Sequence, residues 1–215
     1  MFITFEGIEG SGKSSALAQL ATYLEKKSFD VRLTREPGGS ALGRTLRHVL
    51  LDARNTSLSS RAELFLFLAD RAQHVKDIIL PALEEGEIVL CDRYMDSTFV
   101  YQGAGRGMDI DRLRLLNDQA IGGMIPDLTL LFDVPVQVGL ARAARRNEEE
   151  GTVISEGRFE AESIRFHTRV REGYLQLAAE EPERIVIIDA TQNPDDVLLQ
   201  CISAIEKKLH DYGRL

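Results

Sequence analysis

The stretch FEGIEGSGKSS, Phe5–Ser15, places three glycines and a lysine between an apolar run and an amphipathic one. The pattern G-x-x-x-x-G-K-S begins at Gly7 and ends at Ser14, after a predicted strand and before a predicted helix, which is the context that it requires. Glycines let backbone N–H groups turn toward one centre, and the start of a helix adds positive potential. The stretch therefore predicts a cradle for the phosphates of a nucleotide.

Two polar side chains give this cradle its chemistry. Lys13 is expected to reach the outer phosphates, and the hydroxyl of Ser14 is of the kind that holds magnesium. A glycine-rich turn with an exposed lysine is the alternative, and the flanking strand and helix disfavour it. No N-K-x-D segment follows the fourth predicted strand, which argues against a GTP switch protein.

Five short apolar runs predict the strands of a sheet, and segments with helical spacing separate them. Strands that alternate with helices favour a mainly parallel sheet with helices on both faces. The whole chain, residues 1–215, is expected to be a single domain. The runs, each expected to be buried on both faces, are FITF from Phe2, VRLT from Val31, IVLC from Ile88, LTLLF from Leu128 and IVII from Ile185.

The composition excludes several classes of protein. A net charge of −8 disfavours nucleic-acid polymers as partners. No apolar stretch approaches the roughly 20 residues that span a bilayer, and the first residues lack the pattern of a secretory signal, so a cytoplasmic protein is expected. The cysteines, Cys91 and Cys201, are expected to be reduced thiols, with Cys91 in the core. The four histidines show no metal-ligand spacing and are expected at the surface or at an edge of the fold: His48, His74, His167 and His210.

Charged residues follow the second and third predicted strands, where an open parallel sheet binds its ligands. Arg35 lies in TREPGG, and Asp92 and Arg93 begin DRY. Asp92 is placed to hold magnesium directly or through water, and the arginines have forked donors that suit a phosphate. A phosphate acceptor carries most of two charges near pH 7 and needs cations rather than a general base.

Two helical stretches offer groups that suit a base and a sugar. Phe67 and Arg71 are four residues apart and share a helix face, where a ring and a fork donor are able to stack on a base and read its edge. A core position is the alternative for Phe67. Further polar groups lie about one helical turn apart in DSTFVYQGAGR, and a polar helix start is the alternative for them: Ser97, Thr98, Tyr101 and Gln102.

The order of motifs EGxxGSGKSS, TREPGG, FLADRAQH, DRYxxSTxxYQGxGR, RFE and IDAT resembles the thymidylate kinase family over nearly the whole chain. The resemblance implies a three-layer P-loop NTPase fold, usually homodimeric. It implies transfer of the γ-phosphate of magnesium-ATP to dTMP, which serves dTTP synthesis.

The resemblance also implies a role for individual residues. Glu9 would face the acceptor's sugar, Arg35 and Arg93 the acceptor phosphate, and Phe67 and Arg71 the thymine. Tyr101 would crowd the 2′ position, with Pro37, Ser97, Thr98 and Gln102 near the acceptor. Ser14 and Asp92 would hold Mg²⁺. The ATP loop would comprise Gly7, Ile8, Glu9, Gly10, Ser11, Gly12, Lys13, Ser14 and Ser15.

The interior of the phosphate loop contains no arginine, so the chain resembles the bacterial class that supplies catalytic arginines from a lid. The lid is expected at about residues 142–160. Its candidates are Arg146 first and then Arg142, with Arg145 between them, and a solvated basic helix end is the alternative. The segment departs from the family pattern through an acidic run at 148–150 and through Gly157, where an aspartate usually precedes R(F/I)E.

Two other functions stay open at this point. The first is a P-loop kinase for another nucleoside monophosphate or small acceptor. The second is a nucleotide-binding module without turnover, which the joint presence of Lys13, Arg35, Asp92 and Arg93 disfavours.

Overall fold

A computed structural model describes residues 1–213. Those residues fold around one sheet of five strands in the order β2-β3-β1-β4-β5. Every neighbouring pair of strands is parallel, so the predicted sheet is confirmed. The strands coincide with the five predicted runs: β1 Phe2–Glu6, β2 Val31–Arg35, β3 Ile88–Asp92, β4 Leu128–Asp133 and β5 Ile185–Asp189.

Helices connect the strands, as the alternating pattern predicts. Two of the connections contain π-helical segments, Val75–Ile79 between α3 and α4 and Phe99–Gly105 after α5. The helices of the described residues are α1 Lys13–Lys26, α2 Ala41–Leu51, α3 Ser60–His74, α4 Leu80–Glu84, α5 Met95–Thr98, α6 Ile110–Ile121, α7 Val136–Glu150, α8 Val153–Glu156, α9 Ile164–Glu180 and α10 Pro194–Asp211.

Apolar side chains form a core on each face of the sheet. Ile3 and Phe5 of β1 belong to the larger core, whereas Phe2 lies in a smaller one with Cys91. Successive residues of a strand point to opposite faces, so one strand supplies both cores. The expected core position of Cys91 is confirmed, and Cys91 and Cys201 are both free and buried.

The expectation that all five runs are buried on both faces is wrong for the two outer strands. Leu33 of β2 is 47% exposed and Ile187 of β5 is 49% exposed. The three central strands are buried because each has a neighbour on both sides, whereas β2 and β5 are the edges of the sheet. A run of apolar residues does not reveal which strands become the edges.

Most long helices begin after a side-chain cap, and α1 does not. Ser40, Ser59 and Asp109 accept a backbone N–H in the first turn of α2, α3 and α6. At the start of α1 stands Gly12, in the left-handed conformation with φ 96° and with no side-chain cap. The first N–H groups of a helix have no partner within the helix, so the start of α1 is available to an anion.

The glycine-rich loop between β1 and α1 lies directly against α7. A Cβ atom on Gly10 would stand 2.0 Å from the carbonyl oxygen of Gly139, and one on Gly139 would stand 2.6 Å from the carbonyl oxygen of Glu9. Neither position has room for a side chain, so the two backbones touch. This contact joins the loop to the helix that leads into the predicted lid.

Across residues 1–213, no helix combines the length and the apolar character that a membrane crossing requires.

Candidate active site

The glycine-rich loop forms a compact turn around the side chain of Lys13. Gly7 and Gly10 have positive φ angles of 136° and 68°, which residues with side chains rarely adopt. The Nζ atom of Lys13 donates to the carbonyl oxygens of Gly7 at 3.1 Å and Ile8 at 2.8 Å and to Ser11 Oγ at 3.2 Å. Burial, and then the Arg93 charge, lower the pKa of Lys13 to about 8. The loop therefore presents a cation that is poorly solvated and ready to take an anionic partner.

Two oxygen-bearing side chains meet at the carboxyl end of the sheet. The hydroxyl of Ser14 donates to Asp92 Oδ2 at 2.7 Å, across the ends of α1 and β3. Hydroxyl and carboxylate oxygens suit Mg²⁺, which commonly uses one or two protein ligands and takes the rest from phosphates and water. The described residues contain no cluster of three His, Cys, Asp or Glu side chains that would form a metal cage by themselves. The pair therefore fits a magnesium ion that arrives with a nucleotide.

A cavity of about 350 Å³ lies above the carboxyl ends of β1, β2 and β3. It joins the phosphate loop to the segments that follow the other two strands, so the predicted clustering of these groups is observed. The predicted site residues that line it are Glu9, Gly10, Lys13, Ser14, Arg35, Pro37, Phe67, Arg71, Asp92, Arg93, Ser97, Thr98, Tyr101, Gln102 and Arg146.

Other predicted site residues do not line this cavity. Ile8 is buried in the larger core, so its backbone rather than its side chain faces the loop. Ser15 is exposed on the first turn of α1. Arg142 lies toward β5, where its Nη1 donates to the carbonyl oxygen of Ala190 at 3.2 Å. The remaining ones, Gly7, Ser11 and Gly12, belong to the turn of the loop itself.

The two predicted phosphate-binding arginines have different surroundings. The side chain of Arg35 is exposed and its guanidinium forms no hydrogen bond or ion pair with any residue from 1 to 213. Arg93 is held by the phosphate loop, because its guanidinium donates to the Gly7 carbonyl at 2.9 Å and to Glu9 Oε1 at 3.1 Å. Its backbone has a φ of 67°, which is rare for a residue other than glycine. The side chain of Arg93 is therefore fixed in place, whereas the side chain of Arg35 is available to bind a ligand.

Glu9 is the centre of a buried polar cluster. Its Oε1 accepts from Tyr101 Oη at 2.5 Å as well as from Arg93, and its Oε2 lies 3.2 Å from His167 Nδ1. Burial alone would raise the pKa of Glu9, but the Arg93 and His167 charges and the Tyr101 hydrogen bond outweigh it and lower that pKa. The carboxylate is therefore charged and held on three sides.

Arg71 is 1% exposed and is held by a buried network. Four of its five N–H groups are committed, which leaves one N–H on Nη2 without a partner among residues 1–213. The four hydrogen bonds run from Nε to Glu36 Oε2 at 2.8 Å, from Nη1 to Thr98 Oγ1 at 2.6 Å and Asn117 Oδ1 at 2.7 Å, and from Nη2 to the Tyr94 carbonyl at 2.9 Å.

The expectation that all four histidines lie at the surface or at an edge of the fold is wrong for two of them. His74 and His167 are completely buried, whereas His48 and His210 are exposed. His74 is buried because its ring is satisfied by Glu36 Oε1 at 2.9 Å and Thr34 Oγ1 at 2.6 Å. Sequence spacing carries no signal for such long-range partners.

The lid candidates differ in where their guanidinium groups lie. Arg146 lines the cavity and approaches Glu160 at 3.4 Å. The side chain of Arg145 is 77% exposed and approaches only Glu149, at 3.6 Å, on its own helix. Of the three lid arginines, Arg146 is therefore the one that the structure brings to the cavity.

Several cavity residues were not identified from the sequence. Arg47 donates to both carboxylate oxygens of Glu156 in α8, at 3.0 and 2.8 Å, and to the Pro37 carbonyl at 3.0 Å. In the sequence, Arg47 resembles any charged residue on an exposed helix face, so the sequence does not indicate a role for it. Glu36, Phe159 and Glu160 lie inside the motifs TREPGG and RFE, and their place in those motifs was the available signal.

Comparison with known proteins points to one family. The family model described as thymidylate kinase matches residues 5–200. A thymidylate kinase of Desulfovibrio desulfuricans is 64% identical over 214 residues, which cover 100% of this chain and 99% of that protein. One from Nitratidesulfovibrio vulgaris is 60% identical over 209 residues, 97% of each chain. The crystal structure of thymidylate kinase from Ehrlichia chaffeensis superposes with a TM-score of 0.75 at 35% identity and covers 96% of this chain and 98% of that one.

Proposed function

The chain belongs to the thymidylate kinase family, and on that premise we propose how its residues transfer the γ-phosphate of ATP to dTMP. The supporting observation is a single cavity that contains both a glycine-rich phosphate loop and two arginines from the ends of β2 and β3. The half that contains the loop suits the triphosphate of a donor. The half that contains the two arginines suits the phosphate of an acceptor, which already carries charge. The two halves share a wall, as direct transfer between two nucleotides requires.

We propose that the donor triphosphate lies on the loop from Gly7 to Ser15, with its outer phosphates at the start of α1. The uncapped N–H groups of that helix and the Lys13 ammonium would bind the phosphate oxygens. Mg²⁺ would be held by Ser14 and Asp92, and when bound it would neutralise charge on the phosphates. Lys13 would exchange its three hydrogen bonds within the loop for hydrogen bonds to phosphate oxygens. The poorly solvated ammonium group would then be paired with a negative charge.

We propose that the acceptor phosphate is bound by Arg35 and Arg93. Two unit charges about 4 Å apart repel by roughly 4 kcal/mol at an effective dielectric of 20, so the approach of two phosphates needs cations between them. Arg93 offers a fixed position and Arg35 an uncommitted guanidinium. No general base is required, because the acceptor phosphate is already ionised near pH 7.

The thymine and the sugar are proposed to lie beyond these arginines. Phe67 is partly buried, borders the cavity and would stack on the base. The remaining N–H of Arg71 would donate to the base edge. Nε2 of Gln102 donates one N–H to Glu63 at 2.8 Å, which leaves its carbonyl oxygen and its second N–H for the base. Thr98 holds Arg71, and Ser97 lines the same wall.

The choice of acceptor is the direct test of this assignment. Purified protein with magnesium-ATP is offered dTMP, dUMP, dCMP, dGMP and UMP in a coupled assay of ADP release. We expect dTMP to give the highest kcat/KM. A higher value for another acceptor would support the rival assignment, a P-loop kinase for a different nucleoside monophosphate. Absence of ADP release with every acceptor would indicate a binding module.

Discrimination against ribose is expected to depend on the ring of Tyr101. The ring is packed edge-on against Phe159, and its hydroxyl is bonded to Glu9. Replacing Tyr101 by alanine removes the crowding at the 2′ position and is expected to narrow the preference for dTMP over ribothymidine monophosphate by about tenfold. Tyr101→Phe keeps the ring and is the matched control, with most of the preference retained. Equal discrimination by all three proteins would exclude Tyr101 as the selecting residue.

We further propose that the protein is a homodimer in the cytosol, with residues 142–160 as its lid. Three neighbouring helices expose large apolar side chains, of a kind that commonly marks an interface. These are Leu42 and Val49 of α2, Phe65 of α3 and Leu115 of α6, at 45, 40, 51 and 64% exposure. Two free, buried thiols are consistent with a reducing compartment.

A further inference from the structure

His167 connects the phosphate loop to the predicted lid. It lies in the first turns of α9 and is completely buried. Its Nε2 lies 3.0 Å from the carbonyl oxygen of Phe159, and its Nδ1 lies 3.2 Å from Oε2 of Glu9. Glu9 belongs to the phosphate loop and Phe159 to the lid, so one ring touches both.

Both neighbours of this ring are hydrogen-bond acceptors. A carbonyl oxygen and an ionised carboxylate accept and do not donate, and a neutral imidazole carries a single N–H. Within residues 1–213, neither Glu9 Oε2 nor His167 Nδ1 has a partner that meets hydrogen-bond geometry, although the two atoms lie 3.2 Å apart, within ion-pair distance. Buried polar atoms in native proteins nearly always have a hydrogen-bond partner, so the close approach of these two unpartnered atoms requires an explanation. Only the doubly protonated ring has a proton for each acceptor.

We propose that His167 is a positioning residue of the phosphoryl transfer, which as an imidazolium ties the Glu9 carboxylate to the backbone of the lid at Phe159. This deepens the proposed function, because it rests on the placement of Glu9 beside the acceptor's sugar. His167 does not touch substrate. It fixes the orientation of the Glu9 carboxylate. Because the same ring contacts Phe159, that orientation depends on the position of the lid.

The charged and titratable groups that surround this pair come from several elements. Arg93 and Tyr101 bind the opposite oxygen of Glu9, and Lys13 of α1 lies within electrostatic range of it. Glu160 of the lid is the next residue after Phe159, and burial and then the Glu9 charge raise its pKa. A cation between Glu9 and the lid therefore relieves a repulsion between two carboxylates.

The test replaces His167 by glutamine, whose amide has a donor for one of the two acceptors only. We expect the KM for dTMP to rise about tenfold and the KM for ATP to stay within about twofold. His210→Gln, which changes an exposed histidine in α10, is the matched control and keeps both values. In a Glu9→Gln background, His167→Gln should add little, because the residue acts through Glu9.

The dependence on pH separates this role from simple packing. A doubly protonated ring has a proton for each acceptor and a neutral ring has only one, so a neutral ring at high pH would lose one of the two contacts and raise the dTMP KM of the wild type. His167→Gln lacks this rise. Lys13 and the dTMP phosphate titrate in both proteins, so the ratio of their KM values isolates His167. A folded His167→Gln protein with wild-type dTMP KM and an unchanged ratio across the pH range overturns the proposal.

A spectroscopic measurement covers the case in which His167→Gln does not fold. In wild-type protein labelled with ¹⁵N-histidine, we expect His167 to show two protonated nitrogens at the pH of the assay. A neutral ring at that pH overturns the proposal. Failure of the wild type to phosphorylate dTMP is a separate result, which bears on the proposed function and not on the protonation of His167.

Discussion

Replacing Lys13 by alanine is expected to lower kcat by roughly 10²-fold or more, because it removes the cation nearest to the charge that develops on the transferred phosphoryl group. The fold is expected to persist. The substitution gives up three hydrogen bonds within the loop, and it also removes an ammonium group whose pKa burial has lowered to about 8. These effects oppose each other, so Tm is expected to stay within about 5 °C of the wild type.

The measurement for this prediction combines turnover at saturating ATP and dTMP with thermal unfolding. Lys76→Ala is the matched control, since Lys76 is exposed in the π-helical segment that follows α3 and lies away from the cavity. A folded Lys13→Ala protein with turnover near that of the control would refute the placement of the triphosphate on this loop.

Replacing Arg146 by alanine is expected to lower kcat by roughly 10³-fold, with weaker effects on both KM values. The phosphate loop contributes no arginine, and Arg146 is the lid arginine that lines the cavity. Its guanidinium donates to Asn147 Oδ1 at 3.2 and 2.9 Å and lies 3.4 Å from Glu160, so it would exchange the neutral amide contacts for the stronger charge of the triphosphate. The effect falls on kcat because a group that acts in the transition state contributes little to substrate binding.

Arg145→Ala is the matched control for this substitution. Arg145 is adjacent in sequence, equal in charge and directed to solvent, so its loss is expected to change kcat by less than twofold. Arg142→Ala is expected to fall between the two, because its guanidinium is engaged with the carbonyl of Ala190. If Arg146→Ala matches Arg145→Ala, the catalytic charge must come from another arginine, such as Arg158 or Arg165.

Of Arg158 and Arg165, Arg158 is the less suitable alternative to Arg146 as the catalytic arginine. Its Nη1 is 2.7 Å from Glu63 Oε2, its Nε is bonded to the carbonyl of Leu50, and its side chain is only 10% exposed. Moving it to the triphosphate would leave Glu63 with one cation fewer. Arg158 therefore anchors the proposed lid segment to α2 and α3.

The sequence contained enough to predict the sheet and one wall of the site. Strand positions follow from short apolar runs, and the phosphate loop follows from fixed glycine spacing, because both are local patterns. The placement of Arg35 and Asp92 followed from the rule that parallel strands present their carboxyl ends at one edge. Their register confirms that placement, since Arg35 of β2 pairs with Asp92 of β3.

The remaining features depend on contacts between distant parts of the chain. His74 is buried beside Glu36, and His167 is buried beside Glu9. Both partners are distant in sequence, so the local sequence does not predict them. Arg47 reaches Glu156 over an interval of more than a hundred residues, from one helix surface to another. The exposure of β2 was missed for the same reason, since edge position is a property of strand order.

The close contact between Gly10 and Gly139 determines where movement of the lid has to originate. The first turns of α7 are fastened to the phosphate loop backbone to backbone, and a side chain on either glycine would push the two apart. In the proposed arrangement those turns would therefore belong to the donor site rather than to the lid. A hinge for the proposed lid would therefore lie beyond Ala143, whose backbone nitrogen also borders Gly10. With the donor bound as proposed, the distance between its phosphates and the start of the lid would stay fixed, and an arginine farther along α7 would move about a pivot that the phosphate loop provides.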